Sequence, residues 1–535
     1  MVGSTDENAS RAGLQVLQQG GNAVDAAVAV GFALAVTHPA AGNLGGGGFM
    51  VIRMADGRET SVDYREKAPA RAHRDMFLDE AGQLIPNLSI VGPLAAGVPG
   101  SVAGMAFAQR TYGRLPLADV VAPAIALARD GFEVSWALAD SLKSAQALLA
   151  KFPSSARAFR RPDGTMPGPG DRLVQPELAK TLTLIAEQGP DAFYTGPIAE
   201  LIAAEMSRSG GFITKADLAA YTPRERPPIV GSYRGHRVVS MAPPSSGGIG
   251  LVQLLNILEA FPLADYGHNS SRSIHLVAEA ARRVYADRSE WLGDPAFFDV
   301  PVVGLLSRRY ADQLRSGISE TRATSSRDVK PGQPRNFEHS QTTHYSVVDA
   351  DGNAVATTTT LNGSYGNGQM VTGAGFLLNN EMDDFSAKPG APNMFGLIGG
   401  EANAVGPGKR MLSSMTPAIV AKNGKLVLVT GSPGGRTIIN TVLHVVLGVT
   451  AWNLTGREAV DAPRWDHEWM PDRVTFEGEA LSPAAVEKLK AMGYDIVLRG
   501  EQGSAQTIWM HPQTGTAFGI ADLRSPDAKA VKGGS

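Results

Sequence analysis

A chain of 535 residues with no cysteine and a formal net charge of −3 excludes several chemistries before any motif is read. Disulfides, thiolate catalysis and cysteine-ligated zinc or iron–sulfur centres fall together, and no basic block offers a surface to nucleic acid or anionic lipid. Hydrophobic residues at 43% against 19% charged suffice for a sizeable globular core.

The opening Met1 to Asp6 has neither a charged n-region nor an apolar h-region, so no signal peptide is expected in this chain. Residues 8–19 carry apolar side chains at helical spacing, and Gly20-Gly21 stops them. Asn22 is placed to cap a second helix, with Asp25 in its first turn. That helix, residues 23–36, is apolar almost all round, which calls for cover on both faces. It is too short to span a bilayer and holds Asp25 and Gly31, so membrane insertion is not expected. After His38-Pro39 come the glycine turn Gly45-Gly46-Gly47-Gly48, a strand over residues 49–53 and a hairpin turn at Asp56-Gly57.

Residues 100–260 read as mostly helical, with loops at 162–171 and 242–250. Another helix is predicted over 273–291, with Ser273 as its cap. Residues 321–341 are polar, hold two prolines, and read as an exposed loop. Residues 343–348 then alternate as a strand, Asp351-Gly352 turns, and 354–361 returns. Further on lie a strand at 425–430, the tight turn Gly431-Ser432-Pro433-Gly434-Gly435, a helix at 437–452, and a hairpin of 507–509 with 517–520. Strand pairs interleaved with helical runs imply sheets sandwiched by helices. No repeat of 20–50 residues is present.

The glycine runs do not make a nucleotide site. Counting G-x-G-x-x-G from Gly45 or Gly46 lands on Met50 or Val51, and Gly408-Lys409 is followed by Arg410 rather than serine or threonine. Nucleophile-elbow and H-E-x-x-H patterns are missing as well. No metal or other cofactor is expected.

What remains is a set of threonine and serine doublets at strand ends. Gln341-Thr342-Thr343-His344-Tyr345-Ser346-Val347-Val348-Asp349 resembles the start of the small subunit in γ-glutamyltransferases, a family of N-terminal nucleophile hydrolases. The resemblance extends over Gly21-Asn22-Ala23-Val24-Asp25-Ala26-Ala27, Thr37-His38-Pro39, Gly42-Asn43-Leu44-Gly45-Gly46-Gly47-Gly48-Phe49-Met50 and Tyr64-Arg65-Glu66. It continues through Pro244-Ser245-Ser246-Gly247-Gly248, Leu378-Asn379-Asn380, Met382-Asp383-Asp384-Phe385, Leu412-Ser413-Ser414-Met415 and Gly431-Ser432-Pro433-Gly434-Gly435. These runs stand in the family's order and cover essentially the whole chain.

The resemblance implies an α+β fold, a four-layer αββα sandwich of two stacked antiparallel-rich sheets flanked by helices. It also implies cleavage at Gln341-Thr342 into a large subunit, residues 1–341, and a small one, residues 342–535. The two form a heterodimer within one intertwined unit. Read alone, Thr342 is a β-branched strand starter. As a new chain terminus it carries its own base, an α-amine with a pKa of roughly 7.7–8.0. In the family the threonine matching Thr360 hydrogen-bonds the nucleophile. The glycines matching Gly434 and Gly435 form the oxyanion hole, a role that unobstructed N–H groups at a strand–helix turn can fill.

The implied donors are glutathione and other γ-glutamyl compounds, with water, amino acids or peptides as acceptors. For the amino acid head of such a donor, Arg65 offers a planar fork to the carboxylate and Ser413 and Ser414 add hydroxyls. Asn362, Glu381 and Asp384 match residues around the ammonium. Residues 388–399 resemble the lid loop, with Phe395 where many bacterial members have tyrosine. Family members are mostly periplasmic or secreted, and that location is the expectation here. A cephalosporin or glutaryl amide acylase on the same scaffold, or an uncut non-enzymatic homologue, stand as alternatives.

Overall fold

The computed structural model describes residues 1–161, 163–334, 343–478 and 480–533. Two antiparallel sheets form its centre. The first, in spatial order, runs Lys529–Val531, Val2–Ser4, Thr343–Val348, Ala354–Thr360, Gly47–Arg53, Glu59–Asp63 and Arg224–Arg226. The second runs Ala517–Ile520, Thr507–Met510, Lys425–Thr430, Ala418–Lys422, His236–Ser240 and Ile229–Tyr233.

Period-2 alternation sorts each strand's side chains between two cores. Met50 and Ile52 face the helices over the first sheet, while Phe49 and Val51 face the second sheet. Val238, Val420 and Leu428 point to the opposite helical layer, and their neighbours Val239, Ile419 and Val429 point inward. Helices Glu7–Gln18, Ala23–Thr37 and Ser101–Tyr112 cover the first sheet, and Gly247–Leu258 with Ile438–Thr450 cover the second. The result is a four-layer αββα sandwich. A small sheet of Trp465–Asp466, Val474–Phe476 and Ile496–Leu498 sits beside it.

Helix Ala23–Thr37 follows from its sequence: Asn22 and Asp25 form a capping box, and every residue is buried. Three expectations are corrected. The helix predicted from Ser273 begins two residues earlier, as Ser271–Trp291 capped by Ser270, whose hydroxyl accepts from the Ser273 amide. The loop predicted at 242–250 ends early, because helix Gly247–Leu258 starts inside it. The mostly helical stretch 100–260 also contains the edge hairpin Ile229–Tyr233 and His236–Ser240. Finally, the described part of the loop predicted as exposed is a loop with exposed residues, though tied down at a few points. Thr324 bonds Glu279, the Ser326 amide donates to Asp472 at 2.7 Å, and Val329 is buried. The rest of that loop lies outside the described residues.

Among the described residues, no helix is long and apolar enough to cross a membrane.

Candidate functional site

The first sheet's central hairpin sets the frame. Thr343–Val348 pairs with Ala354–Thr360 so that Thr343 faces Thr359, and Thr360, one step further, faces Gly47 on the next strand. Thr342 lies outside the described residues. Thr360 is buried, and its Oγ1 accepts the amide of Asn362 at 2.7 Å. Asn43 holds the strand end from the other side. Its Nδ2 donates to the Thr360 carbonyl at 2.7 Å, while its Oδ1 accepts from the Gly46 amide and the Ser101 hydroxyl. Asn362 sits at φ 73°, a left-handed conformation that asparagine tolerates better than most residues. Its Nδ2 donates to the Asn380 carbonyl at 3.1 Å.

His344 is no base for this site. It is fully buried between Thr358 Oγ1 at 3.0 Å and Ser346 Oγ at 2.9 Å, and burial pushes its pKa down to about 3. It packs instead under the turn at Gly431.

Arg65 leaves the sheet just after strand Glu59–Asp63 and is wholly buried. Its Nη1 donates to Glu381 Oε1, and its Nη2 donates to Asp384 Oδ2 at 2.6 Å and to the Leu412 carbonyl at 2.9 Å. The Nε reaches the Met411 carbonyl at 3.2 Å. Glu381–Asp384 is a single 3₁₀ turn, in which side chains three apart eclipse; Glu381 and Asp384 therefore converge on one guanidinium. Asp383 turns away to Ser89 and the Met394 amide, and burial pushes its pKa up to about 6.

A third carboxylate, Glu66, lies 3.6 Å from Arg65 Nη1. Burial raises Glu66 to about 7 against the pull of Arg65. Burial also raises Glu381 well above the usual carboxylate range, and the charges of Glu66 and Asp384 add to that. Burial opposes the charge on Arg65, but Glu381, Asp384 and Glu66 outweigh it and hold its pKa above the ordinary value. The cluster thus holds three carboxyl groups around Arg65, with Arg288 also acting on Asp384, and burial favours the protonated form of Glu66 and Glu381.

Ser413 and Ser414 are buried beside it. The Ser413 amide donates to the Pro244 carbonyl, and Ser414 Oγ accepts from Arg288 Nη2 at 3.4 Å. A cavity of about 240 Å³ opens here, walled by Asp384, Arg288, Leu412, Met394, Leu397 and Ile85. Residues 388–399, the segment expected as a lid, line one side of it. Asn393 Nδ2 donates to Asp384 Oδ1 at 3.3 Å, and Phe395 gives its carbonyl to Arg436 Nη1 at 3.4 Å.

On the lid's other side stands the turn before helix Ile438–Thr450. Gly434 and Gly435 have φ of 136° and 64°, conformations that glycine adopts more readily than any other residue. Among the described residues neither amide donates to another group. The structure therefore gathers Arg65, Glu381, Asp384, Ser413 and Ser414 in one buried cluster, of which Asp384 reaches the cavity wall, with Asn362 and Thr360 at the adjoining strand end and Gly434 and Gly435 beyond residues 388–399.

Glu66, Asn43, Asp383, Arg288 and Arg436 carry no role in the sequence reading. Glu66, Asn43 and Asp383 stand inside the quoted runs and could have been found there. Arg288 and Arg436 depend on long-range packing that leaves no local pattern.

The chain matches the family model described as Gamma-glutamyltranspeptidase over residues 9–532. It is 53% identical over 527 residues to the glutathione hydrolase proenzyme of Escherichia coli (strain K12), covering 98% of this chain and 90% of that one. Among solved structures, the cephalosporin acylase from Bacillus halodurans superposes with a TM-score of 0.88 at 29% identity, covering 99% of this chain and 94% of that one. The Helicobacter pylori gamma-glutamyltranspeptidase superposes with a TM-score of 0.60 at 48% identity, over 61% of this chain and 93% of that one. With its sandwich, its buried Arg65 cluster and this near-complete match in sequence, the chain belongs to the gamma-glutamyltranspeptidase family.

Proposed function

We propose that this chain is the precursor of a γ-glutamyltransferase with glutathione hydrolase activity, an enzyme that cuts itself before Thr342. In the cut, the Thr342 hydroxyl attacks the Gln341 carbonyl, the peptide C–N bond breaks, and the freed α-amine keeps the proton. Water then opens the ester, leaving residues 1–341 and 342–535 as two subunits of one unit. In the transfer reaction, that α-amine takes the proton of the Thr342 hydroxyl as its oxygen attacks the γ-amide carbonyl of the donor. Gly434 and Gly435 offer their N–H groups to the oxyanion. The C–N bond breaks, the leaving amine collects the proton, and the resulting γ-glutamyl ester passes to water, an amino acid or a peptide. Thr360 steadies the nucleophile from the end of the paired strand.

The observation that carries this reading is the Arg65 cluster. A γ-glutamyl head brings one ammonium and one carboxylate, and the cluster has a counterpart for each. Arg65, with Ser413 and Ser414, suits the carboxylate; Glu381 and Asp384, with Asn362, suit the ammonium. The two acidic groups already have Arg65 between them, and Arg288 acts on Asp384 as well. Burial favours the protonated form of Glu381 and Glu66, and an entering ammonium would be favoured by letting them ionise. A glutaryl chain brings none, which sets the acylase reading second despite the likeness to the Bacillus halodurans acylase. Location in the periplasm or outside the cell belongs to the same proposal.

The test is Thr342→Ala. Wild type is expected to resolve into two bands on a denaturing gel and to release chromophore from a γ-glutamyl anilide but not from a glutaryl anilide. The variant is expected to stay whole at 56.2 kDa and inactive. Correctly sized fragments from the variant, or preference for the glutaryl anilide in wild type, sink the reading.

A further inference from the structure

Across the lid from the Arg65 cavity lies a second, larger cleft of about 560 Å³, into which Gly434 and Gly435 open. Its floor is the small parallel pair Val474–Phe476 and Ile496–Leu498, in which Thr475 stands beside Val497. Side chains two apart on a strand share a face. Arg473 therefore lies on the face of Thr475, and Arg499 on the face of Val497, while Val474 turns into the core. The paired floor spans about 13 Å from one arginine to the other at the usual strand rise, the length of about four extended residues. Arg473 and Arg499 are both exposed.

A third guanidinium, Arg436, lines the cleft beside the glycine turn, paired with Glu468 at 2.5 Å and bonded to the lid through the Phe395 carbonyl. Among the described residues lining this cleft there is no carboxylate. Phe395, Met394, Val497 and Leu498 supply apolar walls. The cleft is thus positive and partly apolar, the reverse of the acidic Arg65 cluster. It touches the same reacting turn from the side a γ-glutamyl head does not fill.

We propose that this cleft binds the other half of the reaction, the leaving or accepting di- or tripeptide, and holds it by its free C-terminal carboxylate through Arg473 and Arg499. The inference rests on the γ-glutamyl transfer proposed above and adds a specificity site to it. The donor head lies in the cavity walled by Asp384. The γ-carbonyl lies at Gly434 and Gly435. The peptide beyond the scissile bond runs along the strand floor with its apolar side chain against Phe395 and Val497.

The experiment compares wild type with Arg473→Ala, Arg499→Ala and the double variant, all changes at exposed positions. For each, kcat/KM is measured with glutathione, whose leaving peptide ends in a carboxylate, and with a γ-glutamyl anilide, whose leaving group is uncharged. Transfer to glycylglycine is measured against transfer to glycylglycinamide. The double variant is expected to lower the glutathione-to-anilide ratio about tenfold, the worth of one charge-assisted hydrogen bond, and to erase the preference for the acid acceptor. Raising salt is expected to lower the wild-type ratio in the same direction. A ratio and an acceptor preference that stay within twofold of wild type overturn the inference and leave the transfer reading intact. If wild type cleaves neither γ-glutamyl donor, the transfer reading fails and takes the inference with it.

Discussion

Replacing Glu381 by glutamine tests the charge balance around Arg65 directly. The side chain keeps its shape, and the amide oxygen still accepts from Arg65 Nη1. What changes is titration. Burial holds Glu381 protonated well above its ordinary 4.5, and Glu66, the lower member of the pair, is itself pushed up to about 7. A folded-state pKa above the unfolded one means the stabilising contribution is complete below about 4.5 and is lost as pH rises through the folded value. Even the lower member of the pair, Glu66, moved from 4.5 to about 7, corresponds to about 3 kcal/mol at 1.36 kcal/mol per pH unit. Glutamine carries no such cost. Urea midpoints measured from pH 4.5 to 7.5, on uncut chains that also carry Thr342→Ala, are expected to coincide at the acid end. Towards neutrality they are expected to separate, with the glutamine variant the more resistant. A difference between the two proteins that does not grow with pH refutes the protonated cluster.

Asp384→Asn is expected to raise KM for γ-glutamyl donors about tenfold with a smaller effect on kcat, since it removes a charged bond worth about 1.5–3 kcal/mol; an unchanged KM takes Asp384 out of the site. Gly434→Ala puts a Cβ 2.8 Å from Thr437 Oγ1 in a backbone at φ 136°. A displaced amide there is expected to lower kcat about a hundredfold, and a wild-type kcat in a folded variant would dismiss the oxyanion role. With the α-amine of Thr342 as base, kcat/KM is expected to fall below a pKa of about 7.5; a flat profile to pH 5 contradicts it.

The layers and most strand boundaries were legible because alternation and capping are local signals. Asn22 with Asp25, and the apolar helix behind them, identify themselves within four residues. Where local signals failed, tertiary packing had overridden them. Gly247 and Gly248 read as loop, yet they begin a helix, because the Met415 carbonyl would lie 2.2 Å from a Cβ at Gly247 and no larger residue fits. The edge hairpin of Ile229–Tyr233 and His236–Ser240 is short and lay hidden in a helical stretch. The site divides the same way. Arg65, Glu66, Ser413, Ser414 and Asp384 stand in recognisable runs, whereas Arg288 gains its meaning only from Ser414 and Asp384, far along the chain. Charge pairing was not legible either: in sequence Glu381 and Asp384 read as awaiting a substrate ammonium, and the folded chain seats a guanidinium between them.

That seat bears on how specificity arises. A guanidinium bonded to two carboxyl groups and two backbone carbonyls cannot move far without stranding buried partners, a change worth about 3–5 kcal/mol when one member of such a pair is lost. Arg65 is therefore a fixed post, and a substrate must exchange into a network already formed. An uncharged or singly charged ligand that displaced part of it would leave a buried carboxyl without a counterpart. A zwitterion replaces what it displaces, ammonium for guanidinium arm and carboxylate for carboxylate. Selection for an amino acid head then comes less from attraction, which the resident ion pairs already satisfy, than from the penalty every other head group incurs on entry.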